Sequence, residues 1–223
     1  MNILITGASG LIGTQLIENI YLSTSHDVSV LTRDSVKFLL NCPFPVKAYK
    51  WNPENDEVDL DAFTGIDVII NLAGSNIADS NWNQIGKNKI LNSRTSSTKL
   101  IVKTVNQLKY PPKKIINASA IGFYGDRGEE FITEKSAKGH NFLSVVCHAW
   151  EKELESLSNN ETKIHILRIG LVLSHRGGIL KELLPMFRLG LGGNIGNGEQ
   201  YLSWIHIDDL IGNLLYLAEN NIT

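Results

Sequence analysis

The sequence predicts an α/β fold, a doubly wound parallel sheet with helices on both faces. Three observations carry this: a strand–glycine–helix unit at the very start, recurring short β-rich apolar runs, and helical patterns between most of them. The first strand is the apolar run 3–5. Gly7, Gly10 and Gly13 follow it, and an amphipathic helix over 11–20 begins at once. Further strands are read at 28–31, 46–49, 68–72, 114–118 and 164–169, with long helical patterns at 83–108 and 142–157. Residues 189–198 hold five glycines and read as a loop, placed over a ligand cleft. A last helix, 208–219, follows Trp204-Ile-His-Ile-Asp208.

The 223 residues suffice for one sizeable domain, or a domain and part of a second. A net charge of −2 gives no general pull toward nucleic acid or an anionic membrane. Cys42 and Cys147 lie far apart without ligand-like spacing, so neither a disulfide framework nor a metal site is expected. No apolar run approaches the roughly 18 residues of a membrane helix, and no leader precedes the first strand. The expectation is a soluble, cytoplasmic protein.

The first chemistry-bearing unit is Gly7-Ala-Ser-Gly-Leu-Ile-Gly13. Glycines let the backbone approach a pyrophosphate, and the helix N-terminus offers free N–H groups and a positive dipole end. Glycine spacing alone is weak; a strand before it and a helix after it make the dinucleotide reading. Where an NAD-preferring site places an acidic residue on the ribose, the second strand ends Thr32-Arg33. A guanidinium suits a 2′-phosphate, which favours NADP over NAD, although Asp34 would serve the ribose if the register slipped. Small residues close the 68–72 strand at Leu72-Ala73-Gly74, again suiting close cofactor approach.

With Asn71-Leu-Ala-Gly74, Ser119-Ala-Ile-Gly-Phe-Tyr-Gly125 and Trp204-Ile-His-Ile-Asp-Asp209, the chain resembles the extended short-chain dehydrogenase/reductases. Ser93-Arg94, Phe142-Leu143, Trp150-Glu151 and the 192–198 glycine loop are similar to an atypical epimerase-family branch. The resemblance covers essentially the whole chain. It implies a Rossmann-type NADP site built from Gly7, Ser9, Gly10, Leu11, Ile12, Gly13, Thr32, Arg33, Leu72, Ala73, Gly74, Arg94 and Val172, with Lys89 as a further cation. It divides the chain into an NADP-binding part, 1–165, and a mixed segment, 166–223, that returns to the sheet and starts a small substrate lobe.

Members of that group carry Tyr-x-x-x-Lys on one helix face, a tyrosine acid/base tuned by a lysine. The literal match, Tyr110 and Lys114, is broken by Pro111 and Pro112 and leads into a strand. At the expected place stands Cys147-His-Ala-Trp-Glu151. Ser119 and Tyr124 are the remaining catalytic candidates, although the family's hydroxyl falls nearer Ala120. His148 with Glu151 is spaced as a base and its orienting carboxylate, or as a boundary contact. Arg168 is read either as a phosphate ligand or as a partner within the fold, and His206 as a structural histidine. Gln200, Tyr201 and Trp204 join the glycine loop as a substrate wall.

Two functions follow. One is an NADP-dependent oxidoreductase or epimerase acting on a small or sugar-nucleotide substrate with a non-standard site. The other is an NADP-binding regulatory protein without turnover. No metal is expected; the oligomeric state is left open, with the resemblance implying a homodimer through the two long helices, 83–108 and 142–157, as one option. Members of the group continue past this end, so the substrate lobe is expected to be incomplete, with apolar surface exposed near 183–191 and cofactor bound without appreciable turnover.

Overall fold

A computed structural model describes every residue except Asp79, Ile195, Ile222 and Thr223, so the glycine loop's Ile195 and the chain end lie outside the described residues. The glycine-flanked strand is β1 (Asn2–Thr6), followed by α1 (Leu11–Ser23) and β2 (Asp27–Thr32). Next come α2 (Ser35–Asn41), β3 (Lys47–Asn52), β4 (Glu57–Val58) and β5 (Val68–Asn71). Then α3 (Gln84–Val105), β6 (Lys114–Ala120), α4 (Phe142–Lys152) and β7 (Lys163–Ile169) complete the sheet and one helical face. The rest is β8 (Leu171–Leu173), α5 (Ile179–Arg188), β9 (Trp204–His206) and α6 (Ile207–Glu219).

The main sheet runs β4-β3-β2-β1-β5-β6-β7, parallel throughout except for the short β3–β4 pairing. Strand side chains alternate between faces, so each central strand feeds two cores. Ile3, Ile5, Val68, Ile70 and Ile116 pack with α1 and α6. Leu4, Ile69 and Ile115 pack on the opposite face with Leu100, Ile101 and Val105 of α3. Strand order reverses between β1 and β5, the switch point at which open α/β sheets bind ligands beyond their carboxyl ends.

The expected elements differ from the observed ones mainly at their ends. The 142–157 helix stops at Lys152 and tightens into a 3-10 turn, Glu153–Ser156. The division at residue 165 falls inside β7, and α6, from the later segment, packs into the β1 core. Unforeseen are α2, the short β4, α5, and the pairing of β8 with β9 as a separate two-stranded sheet. No residue of α5 is buried, and Met186, Phe187, Leu189 and Leu191 are exposed around its end.

Tyr110 and Lys114 share no helix face. Tyr110 lies on the surface, whereas Lys114 opens β6 and is buried. Its Nζ donates to the carbonyls of Leu217, Ala218 and Asn220, a cation satisfying the C-terminal end of α6.

Candidate functional site

The three glycines of the first loop answer to three different constraints. Gly7 has φ +66°, a conformation L side chains rarely adopt, and a Cβ there would overlap the Leu72 carbonyl. A Cβ on Gly13 would lie 2.7 Å from the Ala8 Cα, so Gly13 lets α1 close onto the loop. Gly10 is exposed, and a Cβ there would meet a single protein atom, the Gly7 carbonyl oxygen at 3.3 Å. Gly10 is also the N-cap of α1, with no side chain capping the helix. The first N–H groups of the helix therefore face outward beside a backbone kept bare of side chain, a cradle that fits a pyrophosphate.

At the end of β2 a cavity of about 560 Å³ is lined by Ala8, Ser9, Thr32, Arg33 and Lys37 among others. Asp34 also lines it, but its carboxylate accepts the Lys37 backbone N–H at 2.9 Å and caps α2. The helix start engages that acid. Lys37 is a cation that sequence reading missed; its signal, a basic residue one turn into a helix that follows Thr32-Arg33, was invisible while α2 went unrecognised.

On the other side of the switch point, the Thr6 hydroxyl accepts the backbone N–H groups of Leu72 and Ala73 and donates to Asn71 Oδ1 at 2.6 Å. Asn71 Nδ2 donates to Thr98 Oγ1 and Asn117 Oδ1, and Trp150 Nε1 donates to Thr98 Oγ1 at 2.9 Å. This buried network ties the carboxyl ends of β1 and β5 and the middle of β6 to α3 and α4.

Arg94 stands against Gly74, where a Cβ would lie 3.1 Å from its Cζ. Its guanidinium lies 5.4 Å from the Trp150 ring, and burial lowers its pKa. Lys89 is exposed on the same helix. Val172, on β8, packs against the core cluster that also holds Ile12, while Leu11 faces Gly177 and Gly178. Gly7 thus abuts Leu72 and Ala73, Gly74 abuts Arg94, and Val172 packs on the same core as Ile12.

The catalytic candidates meet around an ion pair. Glu151 of α4 takes Arg168 of β7 in a bidentate bridge, Nε to Oε1 at 2.9 Å and Nη2 to Oε2 at 2.8 Å. Ser119, at the end of β6, donates to Glu151 Oε1 at 2.6 Å. Arg168 Nη1 donates to the Tyr124 hydroxyl at 2.8 Å and to the Glu134 carbonyl, and its guanidinium lies 3.5 Å from the Phe123 ring centroid. These bonds, the Glu151 one above all, raise the Arg168 pKa and keep it charged. Arg168 is thus paired within the fold, and Glu151 serves Arg168 and Ser119 rather than His148, whose ring packs edge-on to Phe123. Burial pushes the Cys147 thiol pKa up, which disfavours the thiolate a nucleophile needs. His206 accepts the Asp208 N–H and caps α6, the structural role.

Tyr124 and Arg168 border a second cavity, about 1210 Å³, whose far wall includes Asn197, Glu199, Gln200 and Tyr201. Trp204 stands outside that lining, exposed on β9. Among the described residues no helix is long and apolar enough to cross a membrane, and no cluster of metal-ligating side chains occurs.

The family model for the NAD dependent epimerase/dehydratase family matches residues 3–222. The chain belongs to that family. An epimerase family protein of Mycobacterium bovis is 33% identical over 220 residues, spanning 98% of this chain and 70% of that protein. A chloroplastic homologue of epimerase family protein SDR39U1 from Arabidopsis thaliana is also 33% identical, over 99% of this chain and 63% of its own length. Among solved structures, human epimerase family protein SDR39U1 (isoform 2) with NADPH superimposes with TM-score 0.85 at 31% identity, covering 98% of this chain and 70% of that one. UDP-glucuronic acid 4-epimerase from Bacillus cereus, in complex with UDP-glucuronic acid and NAD, shares the fold with TM-score 0.82 at 20% identity over 100% of this chain and 74% of its own. Membership in this epimerase/dehydratase family makes a nicotinamide dinucleotide the cofactor class and supports an oxidoreductase-like role.

Proposed function

We propose that the chain is an NADP-dependent oxidoreductase or epimerase acting on a small carbonyl or hydroxyl compound, without the Tyr-x-x-x-Lys pair. The observation that carries the cofactor choice is the cavity at the end of β2, where Arg33 and Lys37 stand together while the Asp34 carboxylate caps α2. Two cations suit a 2′-phosphate, and the one acid in the same lining, Asp34, is already engaged by the Lys37 N–H. The NADPH in the human relative supports the same choice. The bound cofactor would supply or accept the hydride. Gly7, Ser9, Gly10, Leu11, Ile12 and Gly13 would hold its pyrophosphate, and Thr32, Arg33 and Lys37 its adenosine end. Leu72, Ala73, Gly74, Arg94 and Val172 would line its path to the catalytic side, with Lys89 as an outer cation.

The larger cavity favours a small substrate over a sugar nucleotide. Its only lining cations among the described residues, Arg127 and Arg168, are each held bidentate by a carboxylate, Glu130 and Glu151. Asp126, Glu129, Glu134 and Glu199 also line it, an unfavourable field for a diphosphate. Ser119 and Tyr124 are the hydroxyls nearest the Glu151–Arg168 pair and remain the catalytic candidates.

The test is NADPH oxidation, followed by absorbance, against a panel of aldehydes, ketones and keto sugars, with UDP-glucose and UDP-glucuronic acid in parallel. Turnover of an uncharged carbonyl is the result this reading requires, against the sequence expectation that the cofactor is bound without appreciable turnover. Tight NADPH binding with no turnover across the panel would instead establish a cofactor-binding protein without catalysis, the reading favoured by Cys147 and Glu151 standing in the motif positions.

A further inference from the structure

The two candidate hydroxyls are sorted by the polarity of their hydrogen bonds. A carboxylate bridged on both oxygens by a guanidinium serves as an acceptor on both. Ser119 lies 2.6 Å from that carboxylate, so its one proton is committed to Glu151, and it keeps lone pairs alone to offer a ligand. Tyr124 is in the opposite position. Arg168 only donates, so the phenol oxygen is the acceptor in that 2.8 Å bond and its own proton points elsewhere. Among the described residues no second group hydrogen-bonds the Tyr124 oxygen, and Tyr124 lines the 1210 Å³ cavity. A carbonyl oxygen that gains charge in reduction needs a donor, and Ser119 has none left.

We propose that Tyr124, rather than Ser119, donates the proton to the substrate oxygen, with Arg168 as the cation behind it and Glu151 as the residue that positions Arg168. The tyrosine and its cation then come from different elements, the turn after β6 and the strand β7, instead of one helix. The Tyr124 O–H bond breaks as the substrate O–H bond forms. The electron pair that reduces the carbonyl carbon comes with the hydride of the reduced nicotinamide, and water returns the proton to the phenolate held beside Arg168. This step rests on the oxidoreductase reading; the hydrogen-bond polarity does not.

Neutron diffraction from a deuterated crystal of the whole chain reads the polarity directly. The expected map puts the Ser119 deuteron on the Glu151 side and the Tyr124 deuteron off Arg168, toward the cavity. A Tyr124 deuteron on a protein acceptor such as the Glu134 carbonyl, or a Ser119 deuteron aimed into the cavity, overturns the proposal. With a carbonyl found in the panel, Tyr124→Phe should lower kcat roughly 10- to 1000-fold with KM and NADPH affinity held. Arg168→Met should lower kcat as well, and Arg168→Lys should restore part of it, which a loss of mere packing would not reproduce. Full kcat in Tyr124→Phe defeats the proposal while the oxidoreductase reading stands. Absence of turnover in the parent protein defeats that reading, and the neutron map still decides the polarity.

Discussion

Thr98 on α3 is the junction of the buried network, and Thr98→Val removes its hydroxyl while keeping its shape. The hydroxyl accepts from Trp150 Nε1 and from Asn71 Nδ2, both at 2.9 Å, and Thr98 is fully buried. Valine leaves Trp150 Nε1 without its acceptor and takes one of two acceptors from Asn71 Nδ2, which keeps Asn117 Oδ1, in a site closed to water, each lost bond costing about 1–3 kcal/mol. The added methyl returns about 0.8 kcal/mol. The net loss should be near 3 kcal/mol, on the order of a third of a typical domain's stability. Thr104→Val, six residues later on the same helix, is the control. Thr104 is also buried, but its hydroxyl only back-bonds the Leu100 carbonyl, which keeps its helical N–H, so the change should cost under about 1 kcal/mol. Urea unfolding followed by circular dichroism measures both, with equal m-values required for a fair comparison. Equal losses in the two variants would show that the network contributes nothing beyond ordinary burial.

Gly10→Val should abolish NADPH binding measured by fluorescence titration while the protein stays folded, because its side chain enters the cradle and displaces little else; intact binding would move the pyrophosphate elsewhere. Tyr110→Phe should leave stability, cofactor affinity and any turnover unchanged, since the ring is at the surface and Lys114 is engaged by α6. Asp67 accepts from the Asn2 N–H and from Lys113, in that order of effect, which lowers its pKa below the ordinary 3.8. A depressed folded value stabilises above 3.8 and is lost as pH falls through the folded value. The urea midpoints of the parent and Asp67→Asn should therefore differ at pH 6 and converge on acidification; a constant gap would refute that linkage.

What the sequence made legible was local. β1, the glycine turn and α1 are adjacent in the chain, and the continuous apolar run gives way to the helical pattern there within a few residues. The short α2 carried no such signal because it buries nothing, leaving Val36 and Leu40 exposed, and depends on the Asp34 cap instead. With α2 unseen, Lys37 was unseen too. β8 and β9 are three residues each, too short for any period to show. The Glu151 role was hidden for another reason: its partners are 17 and 32 residues away on other elements. The network had a trace that could have been read. Thr6 and Asn71 each end a buried strand with a polar residue, and Asn117, in the middle of β6, pairs in register with Asn71, where apolar residues would be expected.

The central claim, an NADP site at the switch point with Arg33 and Lys37 on the 2′-phosphate, is tested most directly by titrating NADPH and NADH against the parent chain and against Arg33→Ala and Lys37→Ala. The two cofactors differ only in that phosphate, so their affinity ratio isolates it. Loss of one charge-assisted contact costs about 1.5–3 kcal/mol, roughly 10- to 150-fold in affinity. The account predicts that the parent binds NADPH at least ten-fold tighter (about 1.4 kcal/mol) than NADH, and that each substitution weakens NADPH while leaving NADH nearly unchanged. Equal affinities in the parent, or substitutions that weaken both cofactors alike, would contradict it.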